Sequence, residues 1–198
     1  METAGRTTRL MVRRQQLPDY LTPGIRILFV GINPGLRSAA VGHHFAGYSN
    51  RFWKLLYDAG LVPVPLTHED DRRLPEWGLG LTNVVARASS GMHLLKTRDY
   101  VEGRRRLLAK IRRNRPALIA LLGLTLYPVL CPTKRTSGTT QSGRQASRHV
   151  GLQPDMLGGV PVFLLPNPSG RNAHYSYHEM LRAFRALRRH LLLSKSDE

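Results

Sequence analysis

The sequence predicts an α/β fold: a single three-layer αβα domain in which helices cover both faces of a central, mostly parallel sheet. Short apolar runs with the composition of buried strands alternate along the chain with amphipathic helical segments. Such alternation is typical of parallel sheets, and 198 residues suit one domain of this kind. We see no internal repeat, and we expect the domain to span residues 17–198 after a flexible basic tail at 1–16.

Four segments have the composition of strands. The first, Ile25–Val30, is apolar, rich in β-branched residues and closed by Gly31, as expected of a strand buried on both faces. The other three strands are predicted at residues 79–86, 117–123 and 160–165.

Three helices are predicted between and after these strands. The first begins near Ser49 or Asn50, either of which can cap it, and ends at Gly60. The second spans about 98–113, and the third opens with the capping box of Ser176 and Glu179. The apolar residues expected to face the core are Phe52, Leu55, Leu56, Ala59, Val101, Leu107, Leu108, Ile111, Met180, Phe184, Leu187 and Leu191.

The charge balance predicts a polyanionic partner. The chain has 30 Lys and Arg against 13 Asp and Glu, a net charge of +17, and its pI is about 11.2. Nucleic acid is the leading partner at such a pI, an anionic membrane surface is the weaker alternative, and residues 133–148 form a predicted mobile basic loop. No apolar run approaches the ~20 residues of a membrane span. The single cysteine, Cys131, excludes a disulfide framework and a cysteine-based metal or iron–sulfur site.

Two conspicuous motifs directly follow predicted strands. Gly31–Gly35 follows the first strand, and Pro166–Arg171 follows the last one. Because sites in such sheets lie at the carboxyl ends of strands, both motifs can meet in one cleft. Taken alone, Asn-Pro-Gly is most simply a turn, and Ser169 lacks the G-x-S-x-G context of a nucleophile.

A third motif runs from Gly42 to Trp53. Its adjacent histidines, His43 and His44, are a poor metal pair because no cysteine or second carboxylate motif lies nearby. Phe45 lies in a glycine-rich stretch, where a platform that stacks on a nucleobase is a fair alternative to a core role.

Together these motifs resemble the family of mismatch-specific uracil- and thymine-DNA glycosylases. The resemblance runs from Leu17 to the last helix, and its ordered set of motifs is specific although each motif alone is weak. The motifs are GINPG at 31–35, GHHFAGYSNRFWK at 42–54, GLGLTNVVAR at 78–87, GLQP at 151–154 and LPNPSGR at 165–171.

The resemblance implies a role for individual residues. Asn33 matches the asparagine that orders the attacking water, and Phe45 matches the aromatic residue that stacks on the flipped base. The backbone around Ile32, together with His44 and Asn83, matches positions that line the base pocket. The loop that grips phosphate and intercalates corresponds to Ser169, Gly170 and Arg171.

The resemblance also implies a monofunctional enzyme without a metal or other cofactor that acts on duplex DNA with a mismatched or damaged pyrimidine. His43, His44 and Arg171 look more like the thymine-processing members, whereas Asn167-Pro168 looks more like the uracil-specific bacterial members. The sequence therefore leaves open whether uracil, thymine or ethenocytosine opposite G is preferred. We expect a monomer that works with the nucleoid in a bacterial cytoplasm, or in a nucleus.

Two other classes of function stay open at this stage. The chain could be a non-catalytic, basic nucleic-acid-binding module that responds only to charge and shape. It could also be an α/β domain for a small ligand whose basic charge is incidental. Release of a base from a G·U duplex excludes the first, and salt-dependent DNA binding excludes the second.

Overall fold

The computed structural model describes residues 16–132 and 149–193. Its sheet has five strands in the order β2-β1-β3-β5-β4. All neighbouring strands are parallel except β4, which pairs antiparallel with β5 at one edge. The strands are β1 Ile27–Gly31, β2 Leu79–Asn83, β3 Leu118–Leu122, β4 Gly151–Leu157 and β5 Val160–Leu165.

Five α-helices and three short 3-10 helices connect these strands in the described part of the chain. The α-helices are α1 Leu36–Val41, α2 Phe52–Asp58, α3 Thr97–Asn114, α4 Tyr127–Leu130 and α5 Tyr177–Leu193. The 3-10 helices are His68–Trp77, Met92–Leu94 and Leu124–Leu126. None of the helices within the described residues is long and apolar enough to cross a membrane.

The helices cover the two faces of the sheet as separate apolar layers. Side chains of a strand alternate between faces, so Phe29 of β1 packs into one core with Phe52 of α2 and Phe184 of α5. Its neighbour Leu28 points to the opposite face and joins Leu107 of α3 in a second core. The three-layer αβα architecture with a mostly parallel sheet is therefore confirmed.

Most predicted elements are present, with shifted ends. The strand predicted at 79–86 ends at Asn83, and the helix predicted near 98–113 extends to Thr97–Asn114. The predicted capping box has both of its hydrogen bonds. Glu179 Oε2 accepts from the Ser176 N–H at 2.8 Å, and Ser176 Oγ accepts from the Glu179 N–H.

The structure differs from the prediction in three places. No helix was predicted after Gly35, where α1 lies; this helix ends where Gly42 adopts a positive φ of 81°. Val101 is 66% exposed rather than in the core, because its position on α3 lies beyond the edge of the sheet-facing stripe. Strand β4 was not predicted; it is an edge strand whose register shifts between Leu152 and Met156, around Pro154, and edge strands tolerate proline at such irregularities.

The predicted basic tail lies outside the described residues except for Gln16, and the predicted loop at 133–148 lies outside them entirely.

Candidate active site at the carboxyl edge of the sheet

The centre of the site forms where β1 and β2 end side by side. Gly31 pairs with Asn83 in the parallel register, so the Asn83 side chain starts next to a residue without one. A methyl group on Gly31 would lie 2.5 Å from Asn83 Oδ1 and 3.6 Å from Phe45 Cε1. Glycine therefore provides the space into which Asn83 and Phe45 both reach.

Phe45 presents its ring beside Asn83 at a cost in backbone energy. Its φ is +53°, a left-handed conformation that costs a non-glycine residue on the order of 1–3 kcal/mol and persists only when the surroundings enforce it. The ring packs on the fully buried Phe52, with 4.2 Å between centroids and 33° between planes, and it stays half-buried. The loop thus holds an aromatic surface at a fixed place without burying it in the core.

His44 lies behind this surface and is only 2% exposed. Its Nε2 is 2.8 Å from the Pro18 carbonyl oxygen; since a carbonyl can only accept, Nε2 carries the proton. Nδ1 is then free to accept, and Asn83 Nδ2 approaches it at 3.5 Å, a weak contact. Burial lowers the pKa of His44 below its ordinary value, so the group that faces the Asn83 amide is a neutral imidazole.

A buried carboxylate, Asp71 of the 3-10 helix His68–Trp77, holds the histidine loop in place. Asp71 Oδ2 accepts from the His44 backbone N–H at 2.8 Å, and Oδ1 lies 3.1 Å from His43 Nδ1. Burial, followed by the nearby Asp71 charge, raises the pKa of Tyr20 to about 12. Both histidines are thus bound by protein groups, and Asp71 is a supporting residue that the sequence analysis missed.

Asn33 projects from the loop that follows β1 and is half-buried. Its Nδ2 donates to Ser89 Oγ at 2.8 Å and to the Pro34 carbonyl at 3.0 Å, with the Arg87 carbonyl at 3.3 Å. The amide nitrogen is therefore committed to protein acceptors. The Oδ1 atom of the same amide is the one that can accept a hydrogen bond from a water molecule.

The Pro166–Arg171 loop is docked against the segment that follows Phe45. The Arg51 N–H donates to the Pro168 carbonyl at 3.0 Å, and a methyl group on Gly170 would overlap the Ser49 side chain. Asn167 Oδ1 accepts from the Ser169 N–H at 2.9 Å, which shapes the turn. Only a glycine allows this close approach, and the exposed Arg171 is left at the tip of a braced turn.

Arg171 and Asn33 are joined through two consecutive residues. Arg171 Nη1 donates to the Ser90 carbonyl at 2.6 Å, while Ser89 Oγ accepts from Asn33. Neither serine was predicted as a site residue from the sequence, yet the pair links the two motifs.

The described structure therefore brings most of the predicted site residues to one edge. Asn83 approaches His44, both Asn83 and Phe45 reach the space beside Gly31, and Asn33 lies in the loop that follows Gly31. The side chain of Ile32 is 8% exposed and belongs to the core, so only its backbone is left to face the site.

The sequence was compared with models of protein families. The model described as the uracil DNA glycosylase superfamily matches residues 18–191, which is most of the chain. Members of this superfamily are DNA glycosylases, and the central, mostly parallel sheet with its covering helices agrees with their α/β fold. The chain belongs to the uracil DNA glycosylase superfamily.

Proposed function

We propose that this protein is a monofunctional glycosylase that flips uracil out of mismatches with guanine in duplex DNA and hydrolyses its N-glycosidic bond. Thymine and ethenocytosine opposite guanine are the further candidate substrates. Superfamily membership supports uracil excision, and the net charge of +17 supports DNA as the substrate. We propose that it acts as a monomer.

The observation that carries this proposal is the orientation of Asn33. Its amide nitrogen is held by Ser89 and by two backbone carbonyls, so its oxygen can hold a water molecule beneath the sugar of a flipped nucleotide. An amide does not usefully accept a proton, so Asn33 orients the water and does not act as a general base. This is sufficient for an oxocarbenium-like transition state, which needs little push from the nucleophile.

The base would enter between Phe45 and Asn83. The half-buried Phe45 ring offers a stacking face, and base–aromatic stacking contributes about 1–3 kcal/mol. The Asn83 amide can pair with the neighbouring carbonyl and N–H of a uracil ring, because it carries one acceptor and two donors. Its contact with His44 at 3.5 Å is weak, so the amide loses little when it pairs with the base from its observed position.

Mismatch preference follows from the weakness of this chemistry. The negative charge that develops on the leaving base would be stabilised by backbone N–H groups near Ile32. Without a general base, the rate depends strongly on how cheaply the nucleotide is unpaired, and mismatched bases cost least. We therefore propose G·U over A·U as the preferred substrate.

The test is single-turnover excision from a G·U duplex. Asn33→Ala should lose most excision while it binds the same duplex nearly as well as the wild type. Ser89→Ala keeps Asn33 but removes its shortest hydrogen bond, so its rate should fall between the two. Excision by Asn33→Ala at the wild-type rate would contradict the assignment.

Specificity needs a second measurement. Duplexes with uracil, thymine or ethenocytosine opposite G, and with uracil opposite A, are scored for alkali-sensitive strand breaks. Faster excision from G·U than from A·U supports mismatch specificity, and equal rates would refute it while leaving uracil excision intact.

A further inference from the structure

A stacked Arg37–Tyr48 pair stands out beside the site described above. The Arg37 guanidinium carbon lies 3.6 Å from the centroid of the Tyr48 ring, and Arg37 Nη1 donates to the Tyr48 hydroxyl at 2.6 Å. Arg37 Nε also donates to the Ala46 carbonyl at 2.7 Å. Three separate contacts therefore fix this guanidinium in one orientation.

The pair lies between the two loops of the site. Ala46, which accepts from Arg37, directly follows Phe45, so the arginine is tied to the loop that presents the stacking ring. Tyr48 directly precedes Ser49, against which Gly170 of the Arg171 loop packs. A group bound by Arg37 is therefore next to both the flipped-base pocket and the intercalating turn.

Packing of the domain does not explain the pair. Tyr48 is 89% exposed, so its ring buries little apolar surface and contributes little to the core. The two hydrogen bonds of Arg37 use two of the five N–H donors of a guanidinium, which leaves three donors for another acceptor. A planar, fixed cation with free donors suits a phosphate group, which arginine binds with two parallel hydrogen bonds.

We propose that Arg37, held on Tyr48, is a preorganised clamp for a phosphate of the DNA strand that carries the flipped nucleotide. This inference rests on the proposed function, because it places that strand across the Phe45 loop. Tyr48 acts through Arg37 as a positioning residue: its ring keeps the guanidinium in place before DNA binds. Because Arg37 also donates to the Ala46 carbonyl, a phosphate bound there would be tied to the loop that presents Phe45.

The experiment measures binding of a duplex that contains a stable abasic-site analogue opposite G, over a series of salt concentrations. Arg37→Gln should make the slope of log K against log salt shallower by about 0.9, the value for one phosphate contact. The matched control is Arg113→Gln, an equal change of charge at an exposed residue near the end of α3. That end of α3 lies at the opposite edge of the sheet, so the control should keep the wild-type slope.

Tyr48→Ala tests the supporting role. An exposed cation–π contact corresponds to about a two- to five-fold effect, so affinity should fall by this factor. The loss should disappear when Tyr48→Ala is made in the Arg37→Gln background, because the ring would then have nothing to hold. An equal loss in both backgrounds would show that Tyr48 stacks on DNA itself, and would overturn its role as a support.

The outcomes separate this inference from the proposed function. A wild-type protein that releases no base from G·U would refute the function, whereas the binding comparison does not depend on catalysis. If Arg37→Gln and Arg113→Gln share the same slope, the clamp is wrong even when the wild type excises uracil. Unchanged melting temperatures of the variants establish that the comparison concerns folded protein.

Discussion

Gly31→Ala is the most direct test of the proposed base pocket, because it adds one methyl group at the point where Gly31, Asn83 and Phe45 meet. The new carbon would lie 2.5 Å from Asn83 Oδ1 and 3.6 Å from Phe45 Cε1. The contact with Phe45 is ordinary, so the strain falls on Asn83. The backbone of Gly31 sits in a regular strand, so alanine is not opposed by its conformation.

The size of the effect follows from these distances. Ordinary van der Waals contact begins near 3.4 Å, so the Asn83 oxygen must retreat by about 0.9 Å. A misplacement of about 1 Å can cost about 100-fold in rate when the group positions a substrate. The fold should lose much less, since overpacking of a core typically costs about 1–3 kcal/mol. We therefore expect a folded protein whose excision rate is about 100-fold lower.

The assay is single-turnover excision from a G·U duplex, with denaturant unfolding measured in parallel. Gly35→Ala is the matched control within the same motif, because its methyl group meets nothing within 4 Å and its φ is an ordinary −70°. Gly80→Ala controls for stability: its methyl group would lie 2.5 Å from Ile25 Cδ1 and 2.8 Å from the Tyr20 carbonyl oxygen, away from Asn83. It should destabilise the domain but leave excision by folded protein unchanged.

The reasoning is refuted if Gly31→Ala is folded and excises uracil within about three-fold of the Gly35→Ala rate. Asn83 would then not need its observed position, and its assignment to base recognition would fall. A rate loss in Gly80→Ala as large as that in Gly31→Ala would also refute it, because general destabilisation would explain both.

Two further predictions concern Arg171 and His44. Arg171→Ala should slow single-turnover excision from duplex more than from single strands, and Arg171→Lys should not restore it, because an ammonium group cannot stack in the gap left by a flipped base; full rescue by lysine would make the residue a simple phosphate contact. For His44, burial outweighs the opposing effects of Asp71 and Asp19 and lowers the pKa in the folded protein. As the pH falls, His44 therefore takes up its proton more readily in the unfolded chain than in the folded one. The free energy of unfolding should then fall as the pH drops below about 6.5. His44→Gln should show a weaker fall in chemical denaturation than the wild type, and the same change at the exposed His174 controls for the substitution itself.

The strands and helices with a simple pattern of buried residues could be predicted from the sequence. Strand β1 is apolar throughout because both of its faces are covered, and Ile27, Leu28, Phe29 and Val30 are all fully buried. Strand β4 has one exposed face and a proline, so its pattern is that of a loop. Helix α1 is too short to show a helical period.

The residues of the candidate site also divide into those that could be predicted from the sequence and those that could not. Asn33 follows β1 and could be placed from topology, because the carboxyl ends of parallel strands share one edge. Asn83 could not, because the strand predicted at 79–86 continued past it, whereas β2 ends at Asn83. Asp71 and Ser89 could not, since each reaches its partner through tertiary contacts. Asp70 and Asp71 are adjacent acids near the start of one 3-10 helix. Asp70 accepts from the Thr67 N–H, whereas Asp71 points inward and accepts from the His44 N–H. Nothing in the sequence distinguishes these two roles.

The arrangement of charge suggests how such a site can be both selective and slow. The side chains gathered around the pocket are two amides, a neutral imidazole and a phenyl ring, Asn33, Asn83, His44 and Phe45, whereas the cations Arg37 and Arg171 lie at its rim. A cation beside the sugar would oppose the positive charge that builds there, but at the rim it can bind phosphate without that penalty. In the proposed mechanism the site depends on geometry in place of proton transfer, which accounts for amides and rings held by groups such as Asp71, Ser89 and Gly31 that need never touch the DNA.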